Sequence, residues 1–153
     1  MGWIFLTAML FASSPDPFTY ASQATGVPVQ LLVAISRVES SHHPWALNID
    51  GQAVYPRSRE EAEEILKKAP DNVDIGHMQV NYRIWGKRLG LTKAQLLDPH
   101  ISAWAGAVIL RYYLTQYSFW EAIGRYHSGE RNRQIWYAWR VYQALPEHGE
   151  SLR

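Results

Sequence analysis

Three spacings of a hydroxyl residue with Glu or Gln three positions later, Ser58…Glu61, Thr92…Gln95 and Ser118…Glu121, divide this chain into helical lengths. In each, the hydroxyl can accept from a backbone N–H of the first turn while the longer side chain reaches back, which satisfies donors that a helix start leaves open. Apolar residues between these signals recur at intervals of three and four. Leu31, Leu32, Ile35 and Val38 follow that rhythm over about Pro28–Ser40, and Gly26 can close a shorter helix at about Phe18–Thr25. Arg59–Lys68 carries its Glu cluster early and Lys67-Lys68 late, so both ends complement the helix dipole, and Pro70 stops it. Asp98-Pro99 opens a longer helix whose Ile101, Trp104, Ala105, Val108 and Tyr112 share a face. A last helix, about Arg131–Leu145, is expected to bury Ile135, Trp136, Trp139 and Tyr142 and to end at Pro146. No stretch gives sustained period-2 alternation, so the expected class is all-α.

At 153 residues the chain has room for one domain, since domains commonly hold roughly 100–200 residues. Apolar residues make up 47% of it, which supports a real core and excludes a disordered chain. Fifteen Lys and Arg against fourteen Asp and Glu argue against nucleic-acid binding through a strong basic field. With no cysteine, disulfides, thiolate metal sites and cysteine nucleophiles are excluded. The run Gly2–Phe11 is apolar but shorter than the ~20 residues of a membrane span. Small residues at Ala12 and Ser14 fit a signal-peptidase site, which predicts a signal peptide over 1–14 and a mature domain over 15–153. A buried first element of the domain is the other reading of that run.

Glu39 is the most informative single residue. Counting back four and seven positions reaches Ile35 and Leu32, so this carboxyl shares the apolar face of its helix. A carboxyl among apolar side chains resists ionisation, which is the condition for a general acid near neutral pH. The competing reading is a helix-end Glu that turns to solvent or pairs with His42 or His43.

Two further segments bear on the choice. Gly76-His77-Met78-Gln79 follows Asp74-Ile75, and Tyr126-His127-Ser128-Gly129 lies at a helix exit. With Glu39-Ser40 and in this order, they resemble the motifs of the SLT-type lytic transglycosylases of the lysozyme-like superfamily. That family shows a catalytic Glu before Ser, then Gly-Leu-Met-Gln, then Ala-Tyr-Asn-Ala-Gly. Here His77 replaces the Leu and His127 the Asn. The resemblance runs from about Phe18 to about Leu145. The stretch from Asn48 to Asn72, with its extra capped helix, is similar to the versions associated with conjugation, pilus or secretion systems.

The resemblance implies a lysozyme-like domain of about six to eight helices around a substrate groove, needing no cofactor. It implies a substrate, the peptidoglycan glycan strand, and a location in the periplasm or at the cell wall. Glu39 would protonate the bond between N-acetylmuramic acid and N-acetylglucosamine. It would then take the proton of the muramic 6-hydroxyl, which closes a 1,6-anhydro ring. An intramolecular nucleophile needs no activated water, so one carboxyl suffices where ordinary glycosidases use two. By the same carry-over Tyr126 would hydrogen-bond and orient Glu39, Met78 and Gln79 would line the subsite at the scissile bond, and Ser40 would assist at the acetamido group. His127 stands where an Asn would contact sugar, and His77 would put a titratable ring into one wall, tuning activity between pH 5 and 7. The rivals are a muramidase on the same fold, for which Asp50 or Asp74 could supply the second carboxylate, and a wall-binding assembly module without catalysis.

Other patterns carry less. Glu39-Ser-Ser-His42 has a Glu-x-x-His form but lacks the second copy and further Glu of a di-iron bundle, and the six His show no zinc spacing. Of the tryptophans, Trp104, Trp136 and Trp139 are expected in the core and Trp45 and Trp85 at a groove. Arg83, Lys87, Arg88 and Lys93 are expected to form a solvated basic face.

Overall fold

The computed structural model describes residues 13–146. The apolar run at 2–11, on which the signal-peptide expectation rests, lies outside the described residues. Helix α1 (Pro17–Thr25) starts at Asp16, whose carboxylate accepts from the N–H groups of Phe18 and Thr19, and ends at Gly26 in the left-handed region. Helix α2 (Val29–Ser40) buries Leu31, Leu32, Ala34 and Ile35. Helix α3 (Arg59–Lys68) starts where its capping box predicts, with Ser58 accepting from the N–H of Glu61. Its carboxyl partner, however, reaches the Arg57 N–H at 2.7 Å. The Thr92–Gln95 box is fully reciprocal, at 2.8 and 3.2 Å, but opens only a 3₁₀ turn, Gln95–Leu97.

Helix α4 (Pro99–Leu114) is the central element. Asp98 caps it, and Ser102, Ala103, Ala105, Gly106, Ala107, Ile109 and Leu110 are buried on it. Apolar or small residues around so much of a helix mark one enclosed by neighbours, here α1 and the following helix α5 (Phe119–His127). Ala105 is buried as its periodicity predicts, but Tyr112 from the same expected face is 43% exposed. Helix α6 (Arg131–Ala144) packs against α5 and α2.

The helical class holds, and a small antiparallel sheet is added to it. Its strands β1 (Leu47–Ile49), β2 (Gln52–Val54), β3 (Val73–Ile75) and β4 (Val80–Asn81) are arranged in the order β2-β1-β3-β4. Strands of two or three residues cannot display alternation. The β1–β2 hairpin nevertheless had a local signal in Asp50-Gly51, both at positive φ (51° and 83°) as a tight two-residue hairpin turn requires.

The expectation for α6 needs correction. Ile135, Trp136 and Trp139 are 56%, 53% and 60% exposed, and the buried residues are Gln134, Tyr137 and Val141. These three occupy one stripe at i, i+3 and i+7, rotated from the tryptophan stripe. Trp120 and Tyr142 lie edge to face, and Tyr142 stacks with Trp139, so the α6 aromatics cover one another at the surface. Trp104 is only half-buried. Of the basic stretch, Lys87 and Lys93 are not merely solvated. Both pair with Asp71 and lie over the Tyr82 ring.

Gly76 turns the chain from β3 towards the Met78-Gln79 segment. It has φ +80°, and a Cβ there would lie 2.5 Å from the Leu96 carbonyl oxygen and 2.8 Å from Ser102 Oγ. A Gly76→Ala substitution is expected to destabilise the domain by about 2 kcal/mol or more, read as a lower urea midpoint in equilibrium unfolding.

Candidate active site

A cleft of about 500 Å³ lies where the C-terminal turn of α2 meets the sheet on one side and the end of α5 and the middle of α6 on the other. Helix α2 brings Glu39 into it from the apolar face, beside the buried Ile35, and leaves the carboxyl side chain only 12% exposed. Burial pushes this carboxyl up to about 8. The nearby Asp74 carboxyl adds to that rise, while the Tyr137 hydroxyl and the Arg140 guanidinium oppose it. His42 and His43 do not pair with it. The His42 ring bonds to Ser36 Oγ at 3.0 Å, and the histidine facing Glu39 is His127, with Nδ1 3.9 Å from the carboxyl.

The sheet supplies the other acid. Asp74 on β3 lines the cleft and accepts from Asn81 Nδ2 at 2.9 Å, and its own burial raises its pKa. Asp50 is exposed at the β1–β2 turn and does not line the cleft. Gln79 lines it from a left-handed backbone position, φ 49°. Its side-chain amide donates to the carbonyls of Ala46 (3.0 Å) and Gly76 (2.9 Å), so the acceptor oxygen is the group it can present to a sugar.

Two residues expected at the substrate lie elsewhere. Met78 is fully buried; a Cβ on Gly106 of α4 would meet its Cε at 2.6 Å, so its side chain fills the space under that helix. Ser40 is also buried, and its hydroxyl donates to the His77 carbonyl at 2.8 Å, tying the end of α2 to the next motif. Tyr126 lines the cleft, but its hydroxyl donates to the Met78 carbonyl at 2.8 Å. A phenol has one proton, so Tyr126 orients the backbone beside Glu39 and does not donate to the carboxyl.

The phenol nearest in function to the expected one is Tyr137 of α6, which the sequence reading missed. Its hydroxyl is buried without a fully formed hydrogen bond. It is close enough to Glu39 to lower the carboxyl's pKa, and the carboxyl in turn raises that of the phenol, already high from burial. His127 lies flat on its ring, centroids 4.6 Å apart and planes within 1°. Burial and the cations of Arg133 and Arg140 hold the His127 pKa below the ordinary value. The Tyr137 contact was not legible locally, because only the packing of α6 on α2 creates it.

His77 is 4% exposed and lies outside the cleft walls. Its Nε2 bonds to the Pro99 carbonyl at 2.8 Å, and its Nδ1 to Ser36 Oγ at 3.1 Å. A carbonyl accepts only, so Nε2 carries the proton and the Ser36 hydroxyl donates to Nδ1, leaving Ser36 Oγ to accept from His42. Burial favours the neutral ring. The expected titrating wall is therefore a core anchor. Trp85, at 9% exposure, lines the cleft as expected, whereas Trp45 does not; exposed Trp136 does, against expectation.

The Transglycosylase SLT domain family matches residues 16–142, most of the chain and all of the elements that build this cleft except the last residues of α6. The chain belongs to the SLT transglycosylase family. Members of that family are lytic transglycosylases that cleave glycosidic bonds of peptidoglycan, and the helical fold with its small sheet is consistent with a lysozyme-like SLT domain. Comparison with curated proteins and with solved structures returns no match. Among the described residues of this SLT domain, no three His, Asp or Glu side chains are grouped to hold a metal, and no helix is long and apolar enough to cross a membrane.

A carboxyl raised from 4.5 to about 8 ties stability to pH. The folded protein holds this proton more tightly than the unfolded chain. Its contribution is therefore full below about pH 4.5 and is lost as pH rises through about 8, at about 1.4 kcal/mol for each unit separating the two values. Glu39→Gln removes the ionisable group, so the variant is expected to melt above the wild type at pH 8 by more than at pH 5. Thermal denaturation at the two pH values checks this.

Proposed function

We propose that the protein is a lytic transglycosylase in which Glu39 is the sole acid and base, and that it leaves 1,6-anhydromuramic ends. The observation that carries this reading is the raised, nearly buried carboxyl in a cleft, within the SLT domain. Protonated at neutral pH, Glu39 gives its proton to the bridging oxygen as the bond from that oxygen to the muramic anomeric carbon breaks. The carboxylate so formed takes the proton of the muramic 6-hydroxyl while that oxygen bonds to the anomeric carbon, which restores the acid and closes the ring. Tyr137 and His127 position the carboxyl in this scheme, Gln79 binds sugar through its acceptor oxygen, and Tyr126 holds the Met78 backbone. Met78 and Ser40 act as supports beneath the site.

A second reading rests on Asp74. A carboxylate in the same cleft could stabilise positive charge at the anomeric carbon or activate water, as in a muramidase. Mass spectrometry of muropeptides released from purified wall distinguishes the two: anhydro ends support the first, reducing ends the second. Glu39→Gln is expected to lose about 10²–10⁴-fold of activity. Wild-type activity is expected to fall as pH rises through about 8, where the acid loses its proton. Asp74→Asn is expected to retain most transglycosylase turnover, and a loss as deep as that of Glu39→Gln would favour the muramidase. A Glu39→Gln variant that digests wall normally would point to neither enzyme.

The setting follows from the substrate. We place the enzyme outside the cytoplasmic membrane, as a domain beginning near residue 15 after a removed signal peptide. There it opens the wall locally for a conjugation, pilus or secretion apparatus, a role supported by the capped helix α3 inserted between the first two motifs.

A further inference from the structure

The cleft holds two guanidinium groups, and they differ in one respect. Arg125 is paired with Glu121 at 3.1 Å and lies 3.9 Å over the ring of Tyr117. Arg140 lies over the exposed ring of Trp136, 4.9 Å from its centroid, and among the described residues forms no ion pair with a carboxylate. Both residues of this second pair project from one face of α6 beside Tyr137, at the edge of the space into which Glu39 faces. A guanidinium is charged at every relevant pH, and one held over an aromatic face keeps its in-plane N–H fork for a carboxylate.

Neither of the cleft's own acids forms an ion pair with it among the described residues. Glu39 is uncharged through neutrality, and the Asp74 carboxyl accepts from Asn81. A fixed cation beside a protonated acid is a site for an anion brought by the ligand. The substrate has such anions. Every muramic residue bears a lactyl group at O3, whose carboxyl is free on a bare strand and is otherwise amide-linked to a stem peptide with carboxylates of its own.

We propose that Arg140, oriented by Trp136, forms a carboxylate-binding corner of the cleft that selects glycan strands by the acidic substituent of the muramic residue being cut. This rests on the reading of the cleft as a peptidoglycan site and adds what that site discriminates. The group recognised is a muramyl carboxylate, either the bare lactyl group or a stem-peptide carboxylate.

Equilibrium binding to the full chain carrying Glu39→Gln tests it without turnover. The ligands are soluble tetrasaccharides of alternating N-acetylglucosamine and N-acetylmuramic acid in three forms: with bare lactyl carboxylates, with stem peptides, and with every carboxyl converted to a neutral carboxamide. The carboxamide form is expected to bind about ten-fold more weakly than the preferred acidic form. Adding Arg140→Gln is expected to abolish that difference, and Arg140→Lys to restore part of it. Whichever acidic arm shows the preference identifies the source of the carboxylate. Equal affinity for acidic and neutral ligands with Arg140 present would overturn the proposal, as would an Arg140→Gln loss that is the same for all three. A protein that binds none of the three would count instead against the peptidoglycan reading of the cleft.

Discussion

A carboxyl group forced to share a helix face with Ile35 and Leu32 sets the terms for the rest of this molecule. Those two side chains are completely or almost completely removed from water, so α2 cannot rotate to release Glu39 without exposing them. The proton on Glu39 is thus held by the hydrophobic packing of α2 and not by a neighbouring base. Everything around the cleft adjusts to that fact. Tyr137 and Arg140 temper the rise in pKa, Asp74 strengthens it, and His127 stays below its ordinary pKa where a fixed charge would compete.

Precision at this carboxyl depends on backbone that lies behind it. The Gly76 N–H donates to the Ala46 carbonyl at 2.8 Å, and Gln79 donates to the same carbonyl. Ser40 ties α2 to the His77 carbonyl, and Tyr126 ties α5 to that of Met78. The end of α2, the segment at Ala46 and helix α5 thereby converge on one short loop. Polar groups satisfied in this way fix a single arrangement, because each alternative leaves a buried donor or acceptor without a partner.

The parts of this arrangement that could be read from sequence are those decided locally. Helix α3 begins and ends where Ser58, the acidic first turn and Pro70 require, and Asp98 opens α4 by the same local chemistry. Glu39 was legible because its neighbours four and seven residues back are both apolar. What failed depended on tertiary packing. The tryptophans of α6 outweighed Gln134, Tyr137 and Val141 in any hydrophobic reading, yet Gly124 of α5 brings a backbone so close that Gln134 is the residue enclosed. Only the motif points Met78 and Ser40 at the substrate, and a motif does not distinguish a side chain that touches sugar from one that supports the loop beneath. The strands of the sheet are too short to show a period in sequence, although Asp50-Gly51 marks one hairpin.

The histidine at position 77 has a consequence for how such a sequence can change over time. A leucine there would remove one of the two ring partners of the Ser36 hydroxyl and the bond that the Pro99 carbonyl accepts from Nε2. Exchanging the imidazole alone therefore gives up two hydrogen bonds at once. Positions 36, 42 and 77 thus form one bonded trio, in which a change at any member alters what the other two can donate or accept.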